Sequence, residues 1–172
     1  MAGWTLGVIG GSGLYEIEGL EDRRRVRVES PFGEPSDELL TGRIGEVRLV
    51  FLPRHGRGHR LPPTHVNARA NIDVLKRAGC TDVISLSAVG SLREDLSPGT
   101  FVVVDQFIDR TFAREKSYFG PGCVAHVSMA DPVSPLLALE IQKACTAEKI
   151  AHTKGGTYIV MEGPQFSTRA ES

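Results

Sequence analysis

Short β-rich runs alternate with segments of helical period along this chain. Residues 4–9 (WTLGVI) form one apolar run, the pattern of a buried strand. Residues 24–29 (RRVRVE) alternate, as a half-exposed strand does, and residues 46–52 (EVRLVFL) form a third strand candidate. Residues 66–78 set Val66, Ala70, Val74 and Ala78 on one helical face, and Gly79 is a natural stop. Residues 82–88 (DVISLSA) and 100–105 (TFVVVD) are again short and β-rich. Ser134 followed by Pro135 announces a helix that should run to about Lys149. Residues 155–161 (GGTYIVM) are the last predicted strand. The alternation predicts an α/β fold: a single domain over 1–172 with a mixed, largely buried sheet flanked by helices.

Bulk properties narrow the function classes. A length of 172 residues is the size of one domain and supports a real core. Twenty Lys and Arg stand against 21 Asp and Glu, so the net charge is −1. That balance argues against nucleic-acid binding, which needs a basic face. Cys80, Cys123 and Cys145 are widely spaced and read as reduced thiols of a cytoplasmic protein. No apolar run is long enough to span a bilayer, and no basic residue precedes the first apolar stretch as in a signal peptide.

The candidate chemistry sits where predicted strands end. The first strand runs into Gly10, Gly11, Ser12 and Gly13. A dinucleotide fingerprint would need a third glycine where Glu16 stands, and a P-loop would need lysine where Leu14 stands. The turn is of neither type, but its glycines let backbone approach an anion and Ser12 offers a hydroxyl. A ligand-free tight turn is the alternative. In LPRHGRGHR (52–60), Arg54 can hold a phosphate through a two-pronged pair, although such loops are also simply solvated. His55 and His59 are four apart, but Gly56 and Gly58 disfavour a helical metal pair, and no metal is expected. In SLSAVGSL (85–92), the Ser87 hydroxyl and the amides near Ala88 can face an anion, or mark a plain strand exit. In an open sheet, loops after residues 9, 52 and 86 would converge on one ligand at the carboxyl ends of the strands.

Thr168-Arg169-Ala170-Glu171 is a capping-box pattern, the usual start of a helix, standing just before Ser172. It leads to the expectation that the chain is part of something longer, with a frayed tail as the alternative.

Six stretches together resemble the purine nucleoside phosphorylase family, most closely its 5'-methylthioadenosine phosphorylase branch. They are GVIGGSGL (7–14), SPFGEPSD (30–37), LPRHGRGH (52–59), AVGSLRED (88–95), DQFIDRTFARE (105–115) and MEGPQFSTRAES (161–172), in the family's order. The resemblance implies a phosphorylase/hydrolase-like fold and phosphorolysis of S-methyl-5'-thioadenosine to adenine and S-methyl-5-thio-ribose 1-phosphate. Phosphate would be held at Ser12, Arg54, His55, Ser87 and Ala88. Gly90, Phe166 and Ser167 would serve the base. Relatives acting on 6-oxopurines carry Glu at the Ser167 position, where it accepts from N1–H. Adenine presents a lone pair there, so Ser167 favours an adenine-type base. His126 would reach a neighbouring subunit's 5'-alkylthio pocket, which implies a homotrimer, or a hexamer as a dimer of trimers. No cofactor is implied, since inorganic phosphate is a co-substrate. The residue acting as catalytic acid at the base is expected beyond Ser172. A 6-oxopurine nucleoside or methylthioinosine phosphorylase, and a non-catalytic fragment that binds phosphate or nucleoside, are the competing readings.

Overall fold

The computed structural model describes residues 4–11 and 17–172. The chain divides into two compact units, Met1–Ala88 with Glu115–Tyr118 and Val89–Arg114 with Phe119–Ser172, and each is described by itself.

The first unit is built on a five-stranded sheet. Its strands are β1 (Thr5–Gly10), β2 (Glu21–Val26), β3 (Leu39–Ile44), β4 (Val47–Pro53) and β5 (Asp82–Ser85), in the order β2-β3-β4-β1-β5. β1 runs parallel to both β4 and β5, while β2, β3 and β4 form an antiparallel meander. The sheet is therefore mixed, as the alternation predicts. Its central strand is also its driest: Leu49 to Pro53 are all buried, which explains the unbroken apolar run. Helix α1 (Ala68–Arg77) turns Ala70, Asn71, Val74 and Leu75 inward. Ile9, Leu39, Val50, Leu52, Val74 and Leu75 make one buried cluster. Each such aliphatic side chain contributes about 1.5–3 kcal/mol over an exposed one. α1 starts on Asn67, whose side chain accepts from the Ala70 N–H, and Gly79, just past its C-cap Ala78, turns the chain away with φ +90°.

Several elements depart from the sequence reading. β2 begins three residues earlier than the predicted 24–29 strand, and all of its residues are exposed. It is an edge strand, and its arginines face solvent rather than a core. β3 was not expected at all. Its LLTGRI carries no clean alternation, and Gly42 interrupts it. Antiparallel pairing with β4 through the two-residue turn at Gly45 and Glu46 makes it a strand.

The second unit contains two parallel strand pairs. β6 (Phe101–Val103) pairs with β8 (His152–Lys154), and β7 (Gln106–Asp109) pairs with β9 (Thr157–Val160). The sequence reading missed β7 and β8, of four and three residues. Helix α2 (Pro135–Ala147) packs on β6 and β8, capped by Ser134, whose hydroxyl accepts from the Leu137 N–H. It closes two residues before the predicted end at Lys149. Carboxylates fix the loops here. Glu162, buried, accepts from the Phe112 and Ala113 N–H groups at 2.6 and 3.2 Å. Asp109 accepts from the backbone and hydroxyl of Thr111.

Candidate anion site

The parallel strands β1, β4 and β5 end side by side, and their ladders extend one residue further. Arg54 N–H donates to the Gly10 carbonyl, and Leu86 N–H donates to the Ile9 carbonyl, each at 2.9 Å. This brings the loops after β4 and β5 to either side of the β1 exit. Arg54 Nη1 then donates to Ser87 Oγ at 2.7 Å. Arg54 Nη2 lies 3.9 Å from where a Cβ on Gly11 would stand, so the guanidinium lies beside bare backbone. Its Nε donates to His55 Nε2 at 3.4 Å. An arginine cannot accept, so Nε2 is the acceptor of that pair. The His55 hydrogen therefore sits on Nδ1, which donates to the Leu61 carbonyl at 2.9 Å.

The loop that carries Arg54 is tightly folded. Gly56 N–H donates to Pro53 O, His59 N–H to Gly56 O, and Leu61 N–H to His55 O. Gly56, Gly58 and His59 have φ of +69°, +75° and +54°. Gly56 is buried, and a Cβ there would stand 2.9 Å from Arg60 Nε and 3.0 Å from the Ser36 carbonyl. The loop leans on residues 36 and 37. Asp37 Oδ2 accepts from the Arg57 N–H at 2.7 Å, and its Oδ1 from Arg57 Nη2 at 3.2 Å. Arg60 Nη2 donates to the Ser36 carbonyl at 2.7 Å and stands 4.0 Å from Asp37 Oδ2. Burial pushes the Asp37 carboxyl up. The N–H groups of Arg57 and Glu38, with the charges of Arg57 and Arg60, outweigh that and hold it below the usual carboxylate range.

The three arginines of this loop thus divide. Arg57 and Arg60 are both answered by Asp37, whereas Arg54 forms no ion pair among the described residues. A cation without a carboxylate, held between a hydroxyl and glycine backbone at the ends of parallel strands, suits a small oxyanion.

The structure brings Arg54, His55 and Ser87 together, as the strand-end argument predicts. Ala88 follows directly and is exposed. Ser12 lies outside the described residues. The His55 and His59 rings stack with centroids 4.4 Å apart. Among the described residues no group of three or more His, Cys, Asp or Glu is arranged to hold a metal. No helix among them is long and apolar enough to cross a membrane.

Gly90, His126, Phe166 and Ser167 belong to the second unit. Gly90 faces open space, His126 is exposed, and Phe166 is 95% exposed. Ser167 Oγ lies 2.7 Å from Ser172 Oγ, beside a turn in which Glu171 accepts from the Thr168 N–H. That contact is one half of the predicted capping box. Sequence reasoning missed Ser36, Asp37 and Asn71, although the first two fall within the SPFGEPSD stretch. Their contacts join residues 20 to 35 apart, which no local pattern announces.

Comparison with known proteins gives the family. The family model described as "Phosphorylase superfamily" matches residues 5–172, and the chain belongs to that superfamily. An S-methyl-5'-thioadenosine phosphorylase of Rhodospirillum rubrum is 64% identical over 168 residues, covering 98% of this chain and 57% of the relative. A protein of the same name from Bradyrhizobium diazoefficiens is 62% identical, with 98% of this chain and 58% of the relative covered. A crystal structure of a methylthioadenosine phosphorylase sourced from an antarctic soil metagenomic library superposes with a TM-score of 0.92 at 48% identity. That match covers 99% of this chain and 61% of the other. The chain therefore spans somewhat under two thirds of the length of these relatives.

Proposed function

We propose that this chain carries the phosphate side of a phosphorolysis site acting on S-methyl-5'-thioadenosine. The observation that carries the reading is Arg54, which forms no ion pair among the described residues and is fixed between Ser87 and the Gly11 backbone at three parallel strand ends. Inorganic phosphate bound there is the nucleophile. One phosphate oxygen forms a bond to C1', the bond from C1' to the base nitrogen breaks, and the base takes up a proton as it leaves. The products are adenine and S-methyl-5-thio-ribose 1-phosphate. Positive charge develops on the sugar, so an oriented anion beneath it is both reactant and electrostatic stabiliser. Ser12, His55 and Ala88 complete the phosphate set, while Gly90, Phe166 and Ser167 serve the base. The reading needs no metal or organic cofactor. The names of the relatives support the substrate, and Ser167 favours adenine over a 6-oxopurine. A cytoplasmic homo-oligomer, trimer or dimer of trimers, in which His126 reaches a neighbour's 5' pocket belongs to the same proposal.

A second reading has its own observation. Phe166 is almost fully exposed, as it would be in a chain that binds phosphate without turning over nucleoside. Adenine release from S-methyl-5'-thioadenosine, followed with and without phosphate, separates the two. Release that requires phosphate supports the phosphorylase. Phosphate binding without release supports the binding fragment, and the absence of both binding and release rejects the site.

A further inference from the structure

We propose that Asp37 is a positioning residue for the anion site: it clamps the Arg57–Arg60 segment and thereby holds Arg54 and His55 in register with Ser87. The proposal rests on the phosphate reading given above.

Asp37 does not itself touch the site. Its side chain, 14% exposed, grips the loop at two points, through the backbone N–H and the guanidinium of Arg57. Arg60 is tied to the adjacent Ser36 carbonyl. Ser36 is locked in turn by Asn71 of α1, which accepts from its N–H at 2.7 Å and donates to its hydroxyl at 2.9 Å. Asn67, the α1 cap, donates to the Phe32 carbonyl at 2.8 Å. A continuous path thus runs from the buried face of α1 through residues 32–37 to the turn after Arg54 and His55. That turn gains from an external hold, because the non-glycine His59 sits in the left-handed region at φ +54°. Release of Arg57 frees the middle of the turn, and the bond from His55 Nδ1 to Leu61 O then loses its fixed partner.

Charge alone makes the opposite prediction. Replacing Asp37 with a neutral residue removes a negative charge and leaves Arg57 and Arg60 unanswered. The local field becomes more attractive to an anion. Electrostatics would tighten phosphate binding, and loss of positioning would weaken it. The sign decides.

The test is calorimetric titration of the full chain with inorganic phosphate, for wild type and Asp37→Asn, at a temperature where both are folded. The expected result is a Kd about tenfold higher for Asp37→Asn, with Asp37→Glu recovering most of the loss. Glu34→Gln breaks the exposed Arg27–Glu34 pair in the same unit and leaves the Kd unchanged. Unchanged or tighter binding by Asp37→Asn overturns the proposal. If Asp37→Asn does not fold, Arg57→Met removes the guanidinium contact while keeping the backbone one, and about threefold weaker binding is expected, with no change overturning the proposal. A wild-type chain that binds no phosphate sinks the anion-site reading itself, and the positioning role with it.

Discussion

The two units hold their strand ends by different means. In the first, β1 and β4 lie over a buried aliphatic cluster closed by α1, and the ends of the strands inherit that rigidity. In the second, only Cys145 among the apolar side chains is buried. Leu136, Phe112 and Val124 are more than 70% exposed, yet the loops after β7 and β9 are fixed by Asp109 and Glu162 accepting from backbone N–H groups. Apolar packing is non-directional and stabilises an entire layer. A carboxylate on two successive amides is directional and fixes one loop at one point. The first unit can therefore build a site across three strands, while the second ties the loop after β7 to the loop after β9 at one carboxylate.

Substitutions sharpen this contrast. The largest effect is expected from Leu75→Ala, which empties part of the closed core and costs about 2–5 kcal/mol by chemical denaturation. A loss under 1 kcal/mol would show that the cluster is not the first unit's main support. Glu162→Ala should cost about 1–3 kcal/mol, because two amides lose a shared acceptor. Hydrogen exchange at Phe112 and Ala113 should accelerate, and unchanged protection there would refute the anchoring role.

A pH titration comes next. The Asp37 carboxyl is depressed in the folded chain, so its stabilisation is present above the usual carboxylate range. It is lost as pH falls through the folded value. Wild type should exceed Asp37→Asn in denaturation midpoint at neutral pH, and the two should converge in strong acid. Parallel curves across the whole range would contradict this. The smallest effect belongs to Leu136→Ser on α2, where a 73% exposed side chain leaves stability within about 0.5 kcal/mol. A drop of several degrees in Tm would mean that the α2 face is covered in solution.

Legibility in the sequence followed the same divide. β1, β4 and α1 could be read because their burial imposes a pattern on neighbouring residues. α2 could be read from its Ser-Pro start. β3 escaped because its pairing with β4, not its own residues, makes it a strand, and β8 is too short to show a period. β2 was displaced because, of the alternating residues 24–29, only Val28 is even half-buried and it lies past the strand's end at Val26. Arg54, His55 and Ser87 were legible as residues that follow apolar runs. The division of charge that leaves Arg54 as the anion's partner depends on Asp37, 17 positions away, and on a fold that brings it to the loop.

The register of β1 has a consequence for the order of folding. Residues 39–53 form a local hairpin and can close as soon as they are made. β1 pairs only with distant segments: Leu6 lies opposite Leu49 on one side and Asp82 on the other. Loop closure over such separations is slow relative to hairpin formation. During vectorial synthesis β1 waits without a partner until β4 emerges, and its second flank stays open until β5 does. The juxtaposition of Gly11, Arg54 and Ser87 thus has to wait for the latest-made of its three strands, although Gly11 is translated well before its partners.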